Sequence, residues 1–153
     1  MEKEGKKECK KDIDVPKYSR SSLIRLSTCH PKLITLFNLV IQFFNCVIVC
    51  GYRGEEEQNQ LYIKEKTKMP FPDSLHNSYP ALAVDAYPFF PGKGVSFEQR
   101  QCTYFAGHVK AMACLLGINL RTGADWDGDN DVNDQTFHDI CHFELIDEAK
   151  IRE

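Results

Sequence analysis

The chain has 153 residues, of which 42% are hydrophobic and 27% are charged, with a formal net charge of −3. This length and composition favour one globular domain. The small negative charge and the lack of a Gly-rich phosphate loop argue against a protein that functions by binding nucleic acid.

The N-terminal residues 1–14 are rich in Lys and Glu and lack the apolar core of a secretory signal. We predict a mobile charged tail over residues 1–18 and a globular domain over residues 19–153. Seven cysteines stand at irregular spacings without a CxxC pair, which favours reduced thiols. These features predict synthesis in the cytoplasm without a signal peptide.

Two helices are predicted in the first part of the domain. Ser21 or Ser22 is expected to cap the first helix, and His30-Pro31 to interrupt or restart it. The following stretch, residues 33–50, has no charged side chain and is long enough to cross a bilayer. Polar residues nevertheless recur along one stripe of its first part: Thr35, Asn38, Gln42 and Asn45. We therefore predict an amphipathic helix that ends near residue 45.

The middle of the chain combines short strand signals with loops. Residues 47–50 predict a buried strand, and residues 55–66 predict a polar surface helix. Prolines mark residues 68–78 and 88–94 as loops. Residues 81–87 predict a strand because their side chains alternate. One face would carry Leu82, Val84 and Ala86, and the other Ala83, Asp85 and Tyr87.

The last third predicts one helix and two strands. Residues 96–99 read Ser-Phe-Glu-Gln, a capping box for a helix that ends at Gly117. Residues 118–121 predict a strand, and residues 125–134 form an acidic loop. Residues 140–146 alternate again, with His142 and Glu144 on one face and Phe143 and Leu145 on the other. Helices and strands mixed without regular βαβ alternation predict an α+β fold with a small antiparallel sheet.

Two separated segments contain side chains that bind metals. His76 and Asp85 lie in the first segment, and His142 lies in the second. Two imidazoles and a carboxylate suffice to hold zinc and leave a fourth position for water. Asp139 supplies a second carboxylate, which is able to take a proton from that water. Each residue taken singly is more often a surface group, a cap or a half-buried histidine, so the prediction depends on their conjunction.

The same segments resemble the zinc motifs of the M15 peptidases, the D-Ala-D-Ala carboxypeptidase and VanX-like metallopeptidases. SLHNSYPALAVDAYPFFPG resembles the first motif, GADWDGDNDVNDQTFHDICHFEL the second, and GYRGEEEQNQLY an upstream Arg-Gln element. The likeness is greatest to the branch of phage L-alanyl-D-glutamate endopeptidases. It implies a hedgehog/D,D-peptidase-like fold, with His76, Asp85 and His142 as zinc ligands and Asp139 as the catalytic carboxylate.

Four further residues receive roles or are set aside. Arg53 is expected to hold the scissile carbonyl oxygen or a substrate carboxylate, the alternative being a surface ion pair. Ser74 is a candidate substrate contact. Glu144 is expected to orient an imidazole of the metal site. Cys141 is interpreted as a core thiol because it should face away from its neighbour His142.

The acidic loop resembles a calcium-binding loop. Its carboxylates are Asp125, Asp127, Asp129, Asp131 and Asp134. The Gly expected at the sixth position and the Glu expected at the twelfth are missing. Calcium binding and a solvated acidic turn therefore both stay open. The loop runs directly into Asp139 and His142. Our hypothesis is that calcium bound in the loop orders this catalytic segment and so activates the enzyme.

Residues and resemblance together predict a zinc-dependent, monomeric peptidase that hydrolyses peptide bonds of bacterial peptidoglycan. Its partner would be the stem peptide. Cleavage between L-Ala and D-Glu, in the manner of a phage endolysin, is preferred. A D-alanyl-D-alanine carboxypeptidase or dipeptidase, and a non-catalytic zinc-containing module that binds the cell wall, are the alternatives. Without a signal peptide, such an enzyme would act on the wall after release.

Overall fold

An antiparallel sheet forms the centre of the computed structural model, which describes residues 15–150. Most of the predicted tail, residues 1–14, lies outside the described residues. The strands are β1 (Cys46–Cys50), β2 (Ala83–Phe90), β3 (Gly94–Val95), β4 (Leu120–Gly123) and β5 (Asp139–Leu145). The main sheet has the order β1-β2-β5-β4, and β3 pairs with the end of β2.

Five α-helices surround this sheet in the described part of the chain. They are α1 (Arg20–Ser27), α2 (Pro31–Phe43), α3 (Glu55–Ile63), α4 (Gln99–Leu115) and α5 (Ile146–Lys150). A short 3₁₀ helix, Leu75–Asn77, precedes β2. The predicted α+β class with a small antiparallel sheet is confirmed.

The first helix begins earlier than its sequence suggests. Ser19 caps α1, and its hydroxyl accepts the backbone N–H of Ser22. The predicted cap at Ser21 or Ser22 is therefore wrong. Ser22 is buried instead, and its hydroxyl accepts the backbone N–H of Ile48, so that it joins α1 to β1.

The second helix confirms the restart at His30-Pro31. His30 caps α2 by accepting the backbone N–H of Lys32, and Pro31 is the first helical residue. The buried side is made by Leu33, Leu36, Phe37, Val40 and Ile41, whereas Thr35, Asn38 and Gln42 are exposed. The amphipathic assignment is thus confirmed. Within residues 15–150, no helix has the length and apolar character needed to cross a membrane.

Two predicted boundaries around β2 and α4 are wrong. The loop expected over residues 88–94 begins only after Phe90, because Pro88 pairs with Cys46 and Phe90 pairs with Gly94 of β3. The capping box over residues 96–99 does not form. The N-cap of α4 is Glu98, without a side-chain hydrogen bond, and the Ser96 hydroxyl accepts the Glu98 backbone N–H.

The sheet has two chemically different faces near its middle. Phe143 of β5 is fully buried and packs edge-on against Phe37 of α2 and Phe105 of α4, with ring centres 5.5 and 5.9 Å apart. Val84 of β2 pairs with Phe143 on the same face. Neighbouring residues in a strand point to opposite faces, so β2 and β5 direct their alternate side chains away from these helices.

The packed structure also includes a residue from the segment predicted as tail. Tyr18 packs against the core, and its hydroxyl donates to the Phe37 carbonyl at 2.8 Å. The boundary between tail and domain at residue 18 stays a prediction. Tyr18 itself packs against the domain.

Two phenylalanines of α2 provide a matched test of the core. Phe37→Ala should lower the free energy of unfolding by about 3–5 kcal/mol, because the side chain is fully buried. Phe43→Ala removes the same atoms from a side chain that is 71% exposed. It should change the free energy of unfolding by less than about 0.5 kcal/mol. Urea denaturation of both variants measures the difference. Equal losses would contradict this packing.

Candidate metal centre

Three neighbouring strands bring a row of polar side chains to the face opposite the core. Asp85 of β2 pairs with His142 of β5 on one side and with Cys50 of β1 on the other. Paired residues of an antiparallel sheet place their side chains on the same face. His76 enters from the short 3₁₀ helix, whose position is fixed because the His76 carbonyl accepts the backbone N–H of Arg53 at 2.8 Å.

Three of the predicted ligands meet at one point. Asp85 Oδ1 lies 3.2 Å from His76 Nε2 and 2.9 Å from His142 Nδ1, and these two nitrogens are 3.3 Å apart. Both imidazoles are buried. An ion with four ligands at about 2.0–2.1 Å in tetrahedral geometry has ligand atoms about 3.3–3.4 Å apart. The three donor atoms therefore fit one tetrahedral zinc ion closely.

The remaining hydrogen bonds of the two imidazoles define which nitrogens face the cluster. His76 Nδ1 donates to the Gly51 carbonyl at 2.7 Å, and His142 Nε2 donates to Glu144 Oε2 at 3.0 Å. In the neutral rings, the lone pairs of the other nitrogens then point toward Asp85 Oδ1. Three electron-pair donors converge, which is the arrangement that a metal cation satisfies.

The electrostatics of the cluster also favour a cation. Burial lowers the pKa of His76, but the Asp85 carboxylate outweighs it and raises that pKa to about 10. Burial lowers the pKa of His142 as well, and hydrogen bonds to Asp85 and Glu144 raise it to about 9. Burial raises the pKa of Asp85, yet the two imidazoles hold it well below its usual range. The cluster attracts positive charge, so binding a divalent cation should release protons.

Glu144 links His142 to a second layer of contacts. Its carboxylate accepts the His142 Nε2–H and forms an ion pair with Arg121 of β4. The Arg121 guanidinium lies over the Trp126 ring at 5.6 Å, and that ring stacks on His142 at 5.6 Å with a tilt of 33°. These contacts orient the imidazole from two sides. The sequence pattern pointed to Glu144 but not to Arg121, whose pairing becomes visible only through the β4–β5 register.

Asp139 opens β5 at the edge of the same cavity. Burial and the charge of Asp85 raise its pKa, and this effect is opposed by His142, His76 and Arg53. The strand opposite has Gly123 at this point, where an added Cβ would lie 1.8 Å from the Asp139 carbonyl oxygen. A glycine is thus required for β4 to approach Asp139, a constraint that the sequence alone does not reveal.

Arg53 lies in the wall of the cavity beside the cluster. Its Nη2 is 3.4 Å from Asp85 Oδ2 and 3.4 Å from Cys50 Sγ, and its Nη1 donates to Gln58 at 3.2 Å. The buried Nε has no hydrogen-bond partner among the described residues. Gln58 is itself fully buried, accepts from Asn77 and donates to the Met69 carbonyl. This network fixes the guanidinium next to the cluster.

Ser74 has a structural contact in addition to its place in the cavity wall. Its hydroxyl accepts the backbone N–H of His76 at 3.3 Å and caps the 3₁₀ helix. The cavity has a volume of about 1180 Å³ and is lined by residues on both sides of the cluster, including Lys68 and Phe137. The Lys68 ammonium lies 4.6 Å from the centre of the Phe137 ring. The space is large enough for several residues of an extended peptide.

The acidic loop is only partly assembled as a cation site. One carboxylate oxygen from each of three residues lies within 4.8 Å of the other two, namely Asp125, Asp127 and Asp129. Asp125 is buried, ion-paired with Lys110 of α4, and accepts two backbone N–H groups. Asp131 accepts the N–H of Asn133, and Asp134 accepts from Gln135. Internal donors thus satisfy several of these carboxylates, and calcium binding stays a prediction.

Comparisons with known proteins agree with this geometry. Residues 15–146 match the family described as phage L-alanyl-D-glutamate peptidase. Among solved structures, the chain is similar to the L-Ala D-Glu endopeptidase ChiX of Serratia marcescens, with 22% identity and a TM-score of 0.72. The match covers 92% of this chain and 97% of that one, which confirms the fold. A search of curated protein sequences gives no match.

The contact between Glu144 and His142 yields a test of the centre. Glu144→Ala should weaken zinc binding by about 10- to 100-fold, because it removes the acceptor that fixes the imidazole. Glu57→Ala, an exposed carboxylate on α3, serves as the matched control and should leave the affinity unchanged. Competition with a chromophoric chelator measures both. Equal affinities in the two variants would show that Glu144 does not support the site.

Proposed function

The chain belongs to the phage L-alanyl-D-glutamate peptidase family and is thus a peptidoglycan-hydrolysing endopeptidase; we propose that it is zinc-dependent and works through His76, Asp85, His142 and Asp139. The proposed bond is the one between L-Ala and D-Glu of the stem peptide. The family match favours this cleavage over removal of a terminal D-Ala and over a non-catalytic wall-binding module. Its place of action is the cell wall, reached after release from the cell that makes it.

The observation that carries the proposal is the convergence of three donor atoms within 3.3 Å of one another. His76, Asp85 and His142 would hold the ion, and their number leaves a fourth position open. Zinc bound there would lower the pKa of a coordinated water to about 7 and supply a nucleophile at neutral pH. Nitrogen donors and near-tetrahedral spacing favour zinc over calcium or magnesium.

Asp139 is proposed to carry the proton. Its carboxylate would accept a proton from the attacking water and pass it to the nitrogen of the leaving amine. An ordinary aspartate, with a pKa of about 3.9, is a poor proton donor at neutral pH. The raised pKa of Asp139 suits this second step.

Arg53 is proposed to stabilise the substrate oxygen that gains charge during the reaction. It lines the cavity, and its Nε–H has no partner within the described residues. Charged hydrogen bonds to a developing oxyanion are strong where water is excluded. Ser74 lines the same wall, so a substrate contact is compatible with its capping role. The Lys110–Asp125 ion pair satisfies the most buried loop carboxylate, and calcium at this loop stays a prediction.

The proposed role of Asp139 is tested by product analysis. Digestion of purified peptidoglycan should create free L-Ala carboxyl groups and free D-Glu amino groups, identified by mass spectrometry. Asp139→Asn should reduce their formation by at least about 100-fold, because the proton acceptor is lost. Its zinc content should stay unchanged.

Asp147→Asn is the matched control, since this exposed carboxylate on α5 is not among the residues that line the cavity. It should retain nearly full activity. Release of D-Ala alone would refute the assigned bond, and an active Asp139→Asn variant would refute the assigned base.

Metal removal tests the dependence on zinc. Dialysis against EDTA should abolish hydrolysis, and stoichiometric Zn²⁺ should restore it. Ca²⁺ alone should not restore hydrolysis, because the cluster offers two nitrogen donors and few oxygen donors. Full hydrolysis by protein shown to be metal-free would contradict the proposal.

A further inference from the structure

The thiol of Cys50 lies beside the proposed metal centre and has no part in the proposed reaction. Cys50 is the β1 partner of Asp85, so the row across three strands reads Cys50, Asp85, His142. Its Sγ comes within 4.8 Å of a donor atom of His76 and of one of Asp85. The sheet register therefore delivers a sulfur donor to the same face as the predicted ligands.

Arg53 holds this sulfur in place. One guanidinium nitrogen, Nη2, lies 3.4 Å from Cys50 Sγ and 3.4 Å from Asp85 Oδ2. The shared donor fixes the thiol and the carboxylate next to each other. Cys50 is only partly buried.

The other described cysteines have different surroundings. Cys29, Cys46, Cys102 and Cys141 are buried in the hydrophobic core, and Cys114 is exposed on α4. Within residues 15–150, Cys50 is the cysteine grouped with a histidine and a carboxylate at ligand distance. Its position is thus distinct from that of a thiol that only fills space.

We propose that Cys50 is a sulfur ligand at this centre, forming with His76 and Asp85 a second donor set for divalent cations that accept sulfur ligands, Co²⁺ and Cd²⁺ among them. The inference rests on the proposed function, because the two sets share His76 and Asp85. Thiolate ligands select softer cations than nitrogen and oxygen ligands do. A cation bound by Cys50 together with all three other side chains would have no position for water. When all four side chains bind at once, sulfur ligation therefore excludes the hydrolytic water.

Cobalt spectroscopy tests the sulfur ligand directly. Co²⁺ added to the metal-free full chain should give visible d–d bands and a near-ultraviolet sulfur-to-cobalt charge-transfer band. Cys50→Ser should lose the charge-transfer band and keep the d–d bands. Cys114→Ser, the matched control at an exposed thiol, should keep both.

The outcomes separate this inference from the proposed function. Visible bands without a charge-transfer band in the wild-type chain overturn the sulfur ligand and leave the zinc centre intact. Absence of any cobalt band overturns both. A charge-transfer band that persists in Cys50→Ser also overturns the assignment to Cys50.

Cadmium provides a second measurement that includes the unaltered chain. Cys50→Ser should lower the affinity for Cd²⁺ by at least about tenfold. Removing a residue that only hydrogen-bonds a metal ligand typically costs about 10- to 100-fold in affinity, and removing a direct ligand should cost no less. In the wild-type chain, bound Cd²⁺ should protect Cys50 from iodoacetamide, with Cys114 as the internal reference, as read by peptide mass spectrometry. Alkylation of Cys50 at an undiminished rate in the cadmium-loaded chain overturns the proposal.

Discussion

The pairing of Asp85 with His142 across β2 and β5 is the constraint on which the rest of the structure depends. It sets a carboxylate and an imidazole side by side on one face, while the adjacent pair, Val84 and Phe143, enters the core on the other. A slip of one residue in this register would turn every side chain of the strand to the opposite face. The hydrophobic packing of Phe143 therefore also fixes the polar cluster, and the same residues that stabilise the fold define the position of the chemistry.

A cluster of this kind is costly to bury unless each charge has a partner. The structure meets this requirement in two layers. The inner layer is Asp85 with His76 and His142, and the outer layer is the Gly51 carbonyl on one imidazole and Glu144 on the other. Glu144 is in turn ion-paired with Arg121, whose guanidinium rests on Trp126. Removing either outer partner should affect the inner layer, because the outer hydrogen bonds decide which imidazole nitrogens face Asp85.

Much of the site could be predicted from the sequence because it depends on local patterns. Alternation in two segments assigned Asp85, His142 and Glu144 to the same strand faces, and the structure brings them together. Features that depend on pairing between distant segments could not be read in this way. The place of Cys50 beside Asp85 follows from a shift in the β1–β2 register between Ile48 and Cys50. The need for glycine at Gly123 follows from the approach of β4 to β5, and the continuation of β2 past Pro88 follows from its pairing with Cys46.

The cavity wall opposite the cluster is in direct contact with the proposed metal site. Trp126 stacks on His142, its indole N–H donates to the Phe137 carbonyl, and its backbone N–H donates to Gln135. Lys110 of α4 holds Asp125, the residue just before this tryptophan. The loop that closes the cavity is therefore anchored at one end to the hydrophobic core through α4 and at the other to an imidazole of the proposed metal site. The Trp126 ring therefore borders the cavity and contacts an imidazole of the cluster at the same time.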